Sequence, residues 1–252
     1  MLYDGIQVLD VTGPVDAFAS SNTFGGRYRI TNTSITGEDV MSSSGIRLGV
    51  DAPVEALPEG IGTLLVPGAP NWQASISDPA LIDAVDTLAG RSRRTVSICA
   101  RAFPLAATGL LNGRRAATHW KLAAHLAARF PDVDVDFAAI FVTDGKYVTL
   151  AGVTAGIDVT LSLIEHDHDA ALAREVAEDL VVFMARPGDQ SQFSVRLEAL
   201  PTDNVHQRNA NRLGLTLGAG PVTVCLLGRS AAAGRVVAGP ARCGAGSGRA
   251  SR

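Results

Sequence analysis

No acidic residue follows Asp203, and that absence divides the 252-residue chain in two. All 25 carboxylates lie between Asp4 and Asp203, where they outnumber the basic groups, whereas residues 204–252 hold seven arginines and no acid. An acidic body is ill suited to gripping nucleic acid through its phosphates. Cysteine is scarce too: Cys99, Cys225 and Cys243 are the only three, and only Cys99 sits in the body. A single body cysteine excludes an internal disulfide framework and fits a reducing cytoplasm. No apolar run approaches the ~20 residues that span a bilayer. Met1-Leu2-Tyr3-Asp4-Gly5 also lacks the basic and apolar regions of a signal peptide. Phosphate loops, dinucleotide fingerprints and kinase motifs are missing. His125, His166 and His168 have no third ligand at zinc spacing, so neither a metal nor another cofactor is expected. What remains, 46% hydrophobic and 19% charged, can bury a full core.

Strands and helices alternate along the body. Leu2-Tyr3 reads as the end of a strand, Asp4 to Gly13 as a loop, and Pro14 as the opening of a helix, where its missing N–H costs nothing. Tyr28 to Thr33 alternates like a strand, and Val40 to Asp51 reads as a hairpin around Ser44-Gly45. The apolar strand Thr63 to Val66 ends at Pro67-Gly68. A helix follows, capped by Asp78 with Pro79 at its first position and Leu81, Ile82, Val85 and Leu88 on one face. Next come the strand Thr95 to Ile98, a helix through Phe103 and Leu105 to Asn112-Gly113, a short strand over Arg115 to Thr118, and a helix from Lys121 to Phe130. Asp144-Gly145 joins two short strands as a hairpin, and helix runs from about Thr154 to Met184 with a break near His166–Asp169. The order predicts an α/β, doubly wound, mostly parallel sheet with helices on both faces. Only three residues precede Asp4, too few for the apolar first strand such a sheet places near its middle, so the natural start is expected upstream.

Cys99 follows the strand Thr95–Ile98 at a tight turn into a helix. That puts its sulfur at the carboxyl edge of the sheet, where open α/β folds place ligands. A helix N-terminus favours thiolate, so a thiol pKa below the free value of about 8.5 is expected. A small buried hydrophobe is the alternative reading.

Five motifs in order make residues 2–193 resemble the ThiJ/PfpI superfamily, relatives of class I glutamine amidotransferases with a cysteine on a nucleophile elbow. They are Leu9-Asp10-Val11-Thr12-Gly13-Pro14, Val66-Pro67-Gly68-Ala69, Cys99 itself, Ala117-Thr118-His119-Trp120, and Thr149 to Asp158. Arg186-Pro187-Gly188-Asp189-Gln190-Ser191-Gln192-Phe193 resembles the linker that ends the sensor half of GlxA-like, AraC-type transcriptional regulators. The resemblance implies a flavodoxin-like domain over 1–193, a linker over 194–203, and a homodimer. The Gly/Ala/Arg-rich stretch 204–252 reads as a flexible tail or as coding sequence out of frame, and no helix-turn-helix pattern is found after Phe193.

The resemblance also implies site roles. Asp10 matches the acid that hydrogen-bonds the cysteine sulfur, although a loop Asp before Pro14 would read the same way. His119 matches a base or orienting partner, with a strand-end histidine packed on Trp120 as the alternative. Gly68, Ala69 and Ala100 stand at the backbone positions that line an oxyanion or ligand site, and Gly68 is also what a tight turn needs. Arg101 replaces a usual small residue; its guanidinium is expected to lower the thiol pKa, bind an anion or fill the pocket. Ala100 replaces the histidine of many enzymatic branches, which puts catalysis in doubt. The leading expectation is a ligand- or redox-sensing domain that takes a small molecule, touches no membrane and does not itself bind operator DNA specifically. An isonitrile hydratase-like enzyme with Cys99 as nucleophile is the alternative. Limited proteolysis is expected to leave a stable core ending near Phe193–Asp203; an intact, protease-resistant chain would count against that boundary.

Overall fold

The computed structural model describes residues 1–183 and Gln190. The expected linker, the tail, Cys225 and Cys243 lie outside the described residues. The main sheet has four strands: β1 (Ile61–Val66), β2 (Ser92–Ile98), β3 (Phe141–Asp144) and β4 (Tyr147–Leu150). They lie in the order β1-β2-β4-β3, the first three parallel and β3 antiparallel at the edge. Leu64 stands opposite Thr95 and Val148 opposite Val96, so the parallel carboxyl ends finish together at Val66, Ile98 and Leu150.

Helices cover both faces, as a parallel sheet requires. They are α1 (Leu9–Thr23), α2 (Pro79–Arg91), α3 (Ala102–Ala107), α4 (Trp120–Arg129), α5 (Ala155–Asp167) and α6 (Ala170–Asp179). One apolar cluster joins Leu64 and Val66 to Leu81, Val85 and Leu88 of α2 and Phe103 of α3. The other joins Val96, Ile98, Val148 and Leu150 to Phe18 of α1, Ile164 of α5 and Val176 of α6. In β1 and β4 neighbouring residues feed different clusters, Leu64 and Val66 against Leu65, and Tyr147 against Val148, which is the period-2 logic of a strand between two helical layers. The α/β, flavodoxin-like architecture is the expected one.

Local expectations fared unevenly. Asp78 caps α2 by accepting from the Leu81 amide at 3.3 Å, and Asp169 caps α6 by accepting from Leu172 at 2.9 Å, which accounts for the break before Ala170. The first helix opens at Leu9, not Pro14, which lies inside it. Its early turns cross α5 closely: a Cβ on Gly156 would meet Pro14 Cγ at 3.1 Å, and one on Gly13 would meet Ile157 Cγ1 at 3.1 Å. The strand expected over Tyr28–Thr33 is laddered only at Thr33–Ser34, against Ala52–Pro53. Residues 28–32 carry no ladder, and they line a groove.

Two positions on α2 separate burial from pattern. Leu88 is fully buried and Ile82 only half-buried. Leu88→Ala should cost about 2–5 kcal/mol in urea unfolding, and Ile82→Ala about 1 kcal/mol. Equal losses would mean that the face has been misassigned.

Candidate functional site

Cys99 directly follows β2 and takes φ +57°, a left-handed conformation that a non-glycine residue adopts only where its surroundings enforce it. Backbone packed on either side does so here. A Cβ on Gly68 would lie 2.8 Å from Cys99 Cβ, and one on Gly152 would lie 2.8 Å from Cys99 Cα and 2.9 Å from its Sγ. Both positions therefore exclude a side chain, and Gly152 also has φ +99°. From the third side, Thr118 donates its hydroxyl to the Cys99 carbonyl at 2.8 Å.

Asp10 holds the two glycine turns together. One carboxylate oxygen accepts from Gly68 N–H at 2.9 Å, and the other accepts from Val153 N–H at 2.7 Å. Val153 itself is left-handed at φ +54°. This corrects two expected roles. The two Asp10 oxygens serve backbone amides, and no hydrogen bond from Asp10 to the Cys99 sulfur occurs among the described residues. The Gly68 amide is not free for an oxyanion, because Asp10 occupies it. Burial raises the Asp10 carboxyl to about 6, against the pull of the two amides.

The thiol also departs from expectation. Burial, then the neighbouring Asp10 charge, pushes Cys99 up to about 12, opposed only by the Ala100 N–H. The helix was expected to win. Burial and the Asp10 charge oppose it, and Cys99–Arg101 is a single 3-10 turn leading into the six residues of α3. A terminus contributes about 0.3–1 kcal/mol at the surface and up to ~2 in the best sites. Raising a thiol from 9 to about 12 reflects roughly 4 kcal/mol of opposing desolvation and repulsion.

Arg101 does not help the thiolate either. Its buried side chain turns away: Nε donates to the Pro67 carbonyl at 3.1 Å and the guanidinium lies 3.7 Å over the Tyr3 ring. Burial lowers its pKa to about 9. His119 caps α4, its Nδ1 accepting from Lys121 N–H at 3.3 Å while the ring stacks on Trp120. Burial and the Lys121 charge lower its pKa, so the imidazole is neutral. Ala69 and Ala100 are buried beside these turns. Asp10, Gly68, Cys99 and the Thr118-His119 segment thus converge on one sheet edge, whereas the Arg101 guanidinium points elsewhere.

A cavity of about 320 Å³ opens beside Gly152, lined by His119, Trp120, Lys121, Val153 and Gln190 among others. Gln190 was read as part of a linker and not as a site residue. It is fully buried, and its Nε2 donates to Thr118 O at 3.0 Å and Ala139 O at 2.6 Å. Its Oε1 has no hydrogen-bond partner. Thr118, Gly152 and Gln190 are the site residues that sequence reasoning missed, although all three lie inside motifs it quoted. His166 and His168 are exposed, and no group of three potential metal ligands occurs among the described residues. No helix among them is long and apolar enough to cross a membrane.

Known proteins resemble this chain in sequence and fold. A model of the DJ-1/PfpI family matches residues 1–166. The chain is 31% identical over 193 residues to the HTH-type transcriptional regulator CdhR of Pseudomonas aeruginosa, covering 76% of this chain and 56% of the regulator. It therefore spans about half the length of that relative. It is 29% identical over 223 residues to an isonitrile hydratase of Pseudomonas putida, covering 85% of this chain and 90% of the enzyme. A solved ThiJ/PfpI family protein from Pseudomonas syringae superposes with a TM-score of 0.65 at 27% identity, covering 74% of each chain.

Iodoacetamide labelling tests the thiol. At pH 7.5 Cys99 of the folded chain should alkylate at least about a hundredfold more slowly than a free thiol of ordinary pKa, with a rate still climbing above pH 10. Asp10→Asn, which removes the neighbouring charge, should speed labelling at fixed pH. Fast labelling of the native chain near pH 6 would show that the helix terminus prevails after all.

Proposed function

This chain belongs to the DJ-1/PfpI family, and from that premise we propose that it is the ligand-sensing domain of an AraC-type transcriptional regulator, acting in the cytoplasm as a homodimer. The observation that carries the reading is a pocket of about 320 Å³ lined by His119, Trp120 and Gln190, which adjoins the Gly152 turn packed against Cys99. The cavity at His119, Trp120 and Gln190 offers an aromatic face, a neutral imidazole, an unmatched amide oxygen and the Lys121 ammonium, a set that suits a small polar metabolite. The groups a cysteine enzyme would spend on its transition state are committed elsewhere. Asp10 ties two turns, the Gly68 amide is taken, and the thiol carries its proton. Burial slows oxidation of a thiol, which favours ligand occupancy over peroxide as the signal. DNA contact is not assigned to the acidic described body.

A second reading, an isonitrile hydratase-like enzyme with Cys99 as nucleophile, is favoured by one observation: the similarity covers 90% of that enzyme's length. It needs a base for the thiol, and neutral His119 is the candidate for that role.

One experiment separates the two. Trp120 fluorescence is titrated with small anionic, neutral and zwitterionic metabolites, and the same preparation is incubated with cyclohexyl isocyanide. At least one metabolite class should quench Trp120 saturably, and Gln190→Ala should weaken that binding about tenfold, the value of a hydrogen bond donated to an otherwise unmatched buried acceptor. No N-substituted formamide should accumulate above the level given by Cys99→Ser. Turnover that depends on Cys99 would overturn the sensor reading in favour of the enzyme.

A further inference from the structure

Gln190 stands far along the chain from everything that holds it. Its backbone N–H donates to Ala138 O at 2.8 Å, and its Nε2 donates to Ala139 O at 2.6 Å and to Thr118 O at 3.0 Å. The carbonyls it meets are themselves fixed. One carboxylate oxygen of Asp136 accepts from Ala138 N–H at 3.0 Å and from Ala139 N–H at 2.9 Å, and Thr118 is tied through its hydroxyl to Cys99 O. Two carbonyl acceptors on one nitrogen also settle which end of the amide is which: Nε2 faces them, and Oε1 is left over. That oxygen is buried and has no hydrogen-bond partner among the described residues, and its residue lines the 320 Å³ cavity. An amide oxygen only accepts, so an N–H or O–H donor is what completes it.

The rest of the cavity shows what should carry that donor. Among the described residues Lys121 is the only charged side chain lining it, and Asp10, bonded to the Val153 amide, is not part of the lining. His119 Nδ1 accepts from Lys121 N–H, so the neutral ring keeps its proton on Nε2 as a second donor. An ammonium and an imidazole N–H together suit a carboxylate. They do not suit a cation. No acid lines the cavity, and the Lys121 ammonium already lies 5.2 Å from the Trp120 ring centroid, where the ring would otherwise attract a cationic ligand. The donor that reaches Gln190 is therefore an uncharged one.

Resting on the sensor reading above, we propose that the cavity takes a small hydroxycarboxylate and that this ligand latches Gln190 to the body: its carboxylate lies toward Lys121 and His119, and its hydroxyl donates to Gln190 Oε1. A ligand bond that exists only while Gln190 is docked favours docking by the same factor by which docking favours the ligand. Occupancy is thus passed from the cavity to the C-terminal side of the body. Gln190 is a positioning residue in this device as well as a ligand contact, because its Nε2 ties the same side chain to Thr118 and Ala139.

The test uses the full chain with 2-hydroxybutyrate and 3-hydroxybutyrate, each beside its methoxy counterpart, and with 2-aminobutyrate and 2-hydroxybutyramide. Tryptophan fluorescence reads binding, and hydrogen exchange of the Gln190 backbone amide reads the latch. At least one hydroxybutyrate should bind saturably, its methoxy counterpart about tenfold more weakly, and 2-aminobutyrate more weakly than 2-hydroxybutyrate. At equal saturation the hydroxy ligand should slow Gln190 exchange about tenfold more than the methoxy ligand, a comparison that needs no substitution. Lys121→Gln should erase the preference for 2-hydroxybutyrate over its amide, and Gln190→Ala should bring hydroxy and methoxy ligands to equal affinity. Saturable binding of other metabolites with neither hydroxybutyrate bound would overturn the ligand class and leave the sensor reading standing. Equal Gln190 exchange with hydroxy and methoxy ligands bound would overturn the latch, again without touching that reading. Cys99-dependent turnover of the isocyanide would remove the sensor reading itself, and this proposal with it.

Discussion

The site depends on one buried carboxylate. Asp10 accepts from Gly68 on the turn after β1 and from Val153 on the turn after β4. Those turns close on Cys99 from opposite sides, so tightly that neither Gly68 nor Gly152 has room for a Cβ. A left-handed Cys99 and a left-handed Val153 are both strained states that surroundings must hold in place. Two charge-assisted bonds, each shorter than 3.0 Å, are the groups best placed to hold them. The acid acts through the backbone, by position, and not through the sulfur.

That arrangement has an electrostatic consequence. Packing two turns against the elbow strips water from the thiol, and the carboxylate that fixes the turns sits close enough to repel a thiolate. The geometry that looks built for a nucleophile thus pushes the thiol pKa up rather than down. Asp10 titrates upward for the same reason, to about 6. Its folded value lies above the ordinary 3.8, so the folded state holds the proton more tightly, and the group's contribution to stability falls as pH rises from about 4 to 6. The two amide bonds limit that loss.

What was legible in the sequence was order and spacing. Asp10, Pro67-Gly68, Cys99 and Thr118-His119 stand far apart in the chain, and only the parallel topology brings their strand ends to one edge. The helix caps Asp78 and Asp169 were local signals and could be read locally. Other features are tertiary and left no local trace. Nothing near Gly152 reveals that Cys99 presses on it, and nothing near Gln190 reveals that its amide reaches Thr118 and Ala139. The opposing terms at the thiol, burial and the Asp10 charge, are tertiary: a strand followed by a helix shows neither in its own sequence. Tyr28–Thr33 alternates as a strand should, yet a strand needs partners on its edges, and one of its edges faces a groove.

The groove and the thiol site share a wall, and that wall is the Pro67-Gly68 turn. The Pro67 carbonyl accepts both the Tyr3 hydroxyl, at 2.7 Å, and Arg101 Nε, at 3.1 Å. Gly68 accepts from Gln7 through its carbonyl and donates to Asp10 through its amide. Residues 1–10 thus run along residues 65–68 as a second rail, with Met1 at one end fixed on Leu65 and Asp10 at the other fixed on Gly68. Arg101 belongs to both regions: it leaves Cys99 two residues behind, crosses beneath Tyr3, and keeps both terminal nitrogens buried and without a hydrogen-bond partner. An unpaired guanidinium in that position is tolerated only while Tyr3 and Pro67 stay where they are, because the ring face and the carbonyl are all that compensate its lost hydration. Whatever fixes Met1–Tyr3 in the sheet therefore also fixes Arg101, the Pro67-Gly68 turn and, through Gly68, the carboxylate that shapes the elbow.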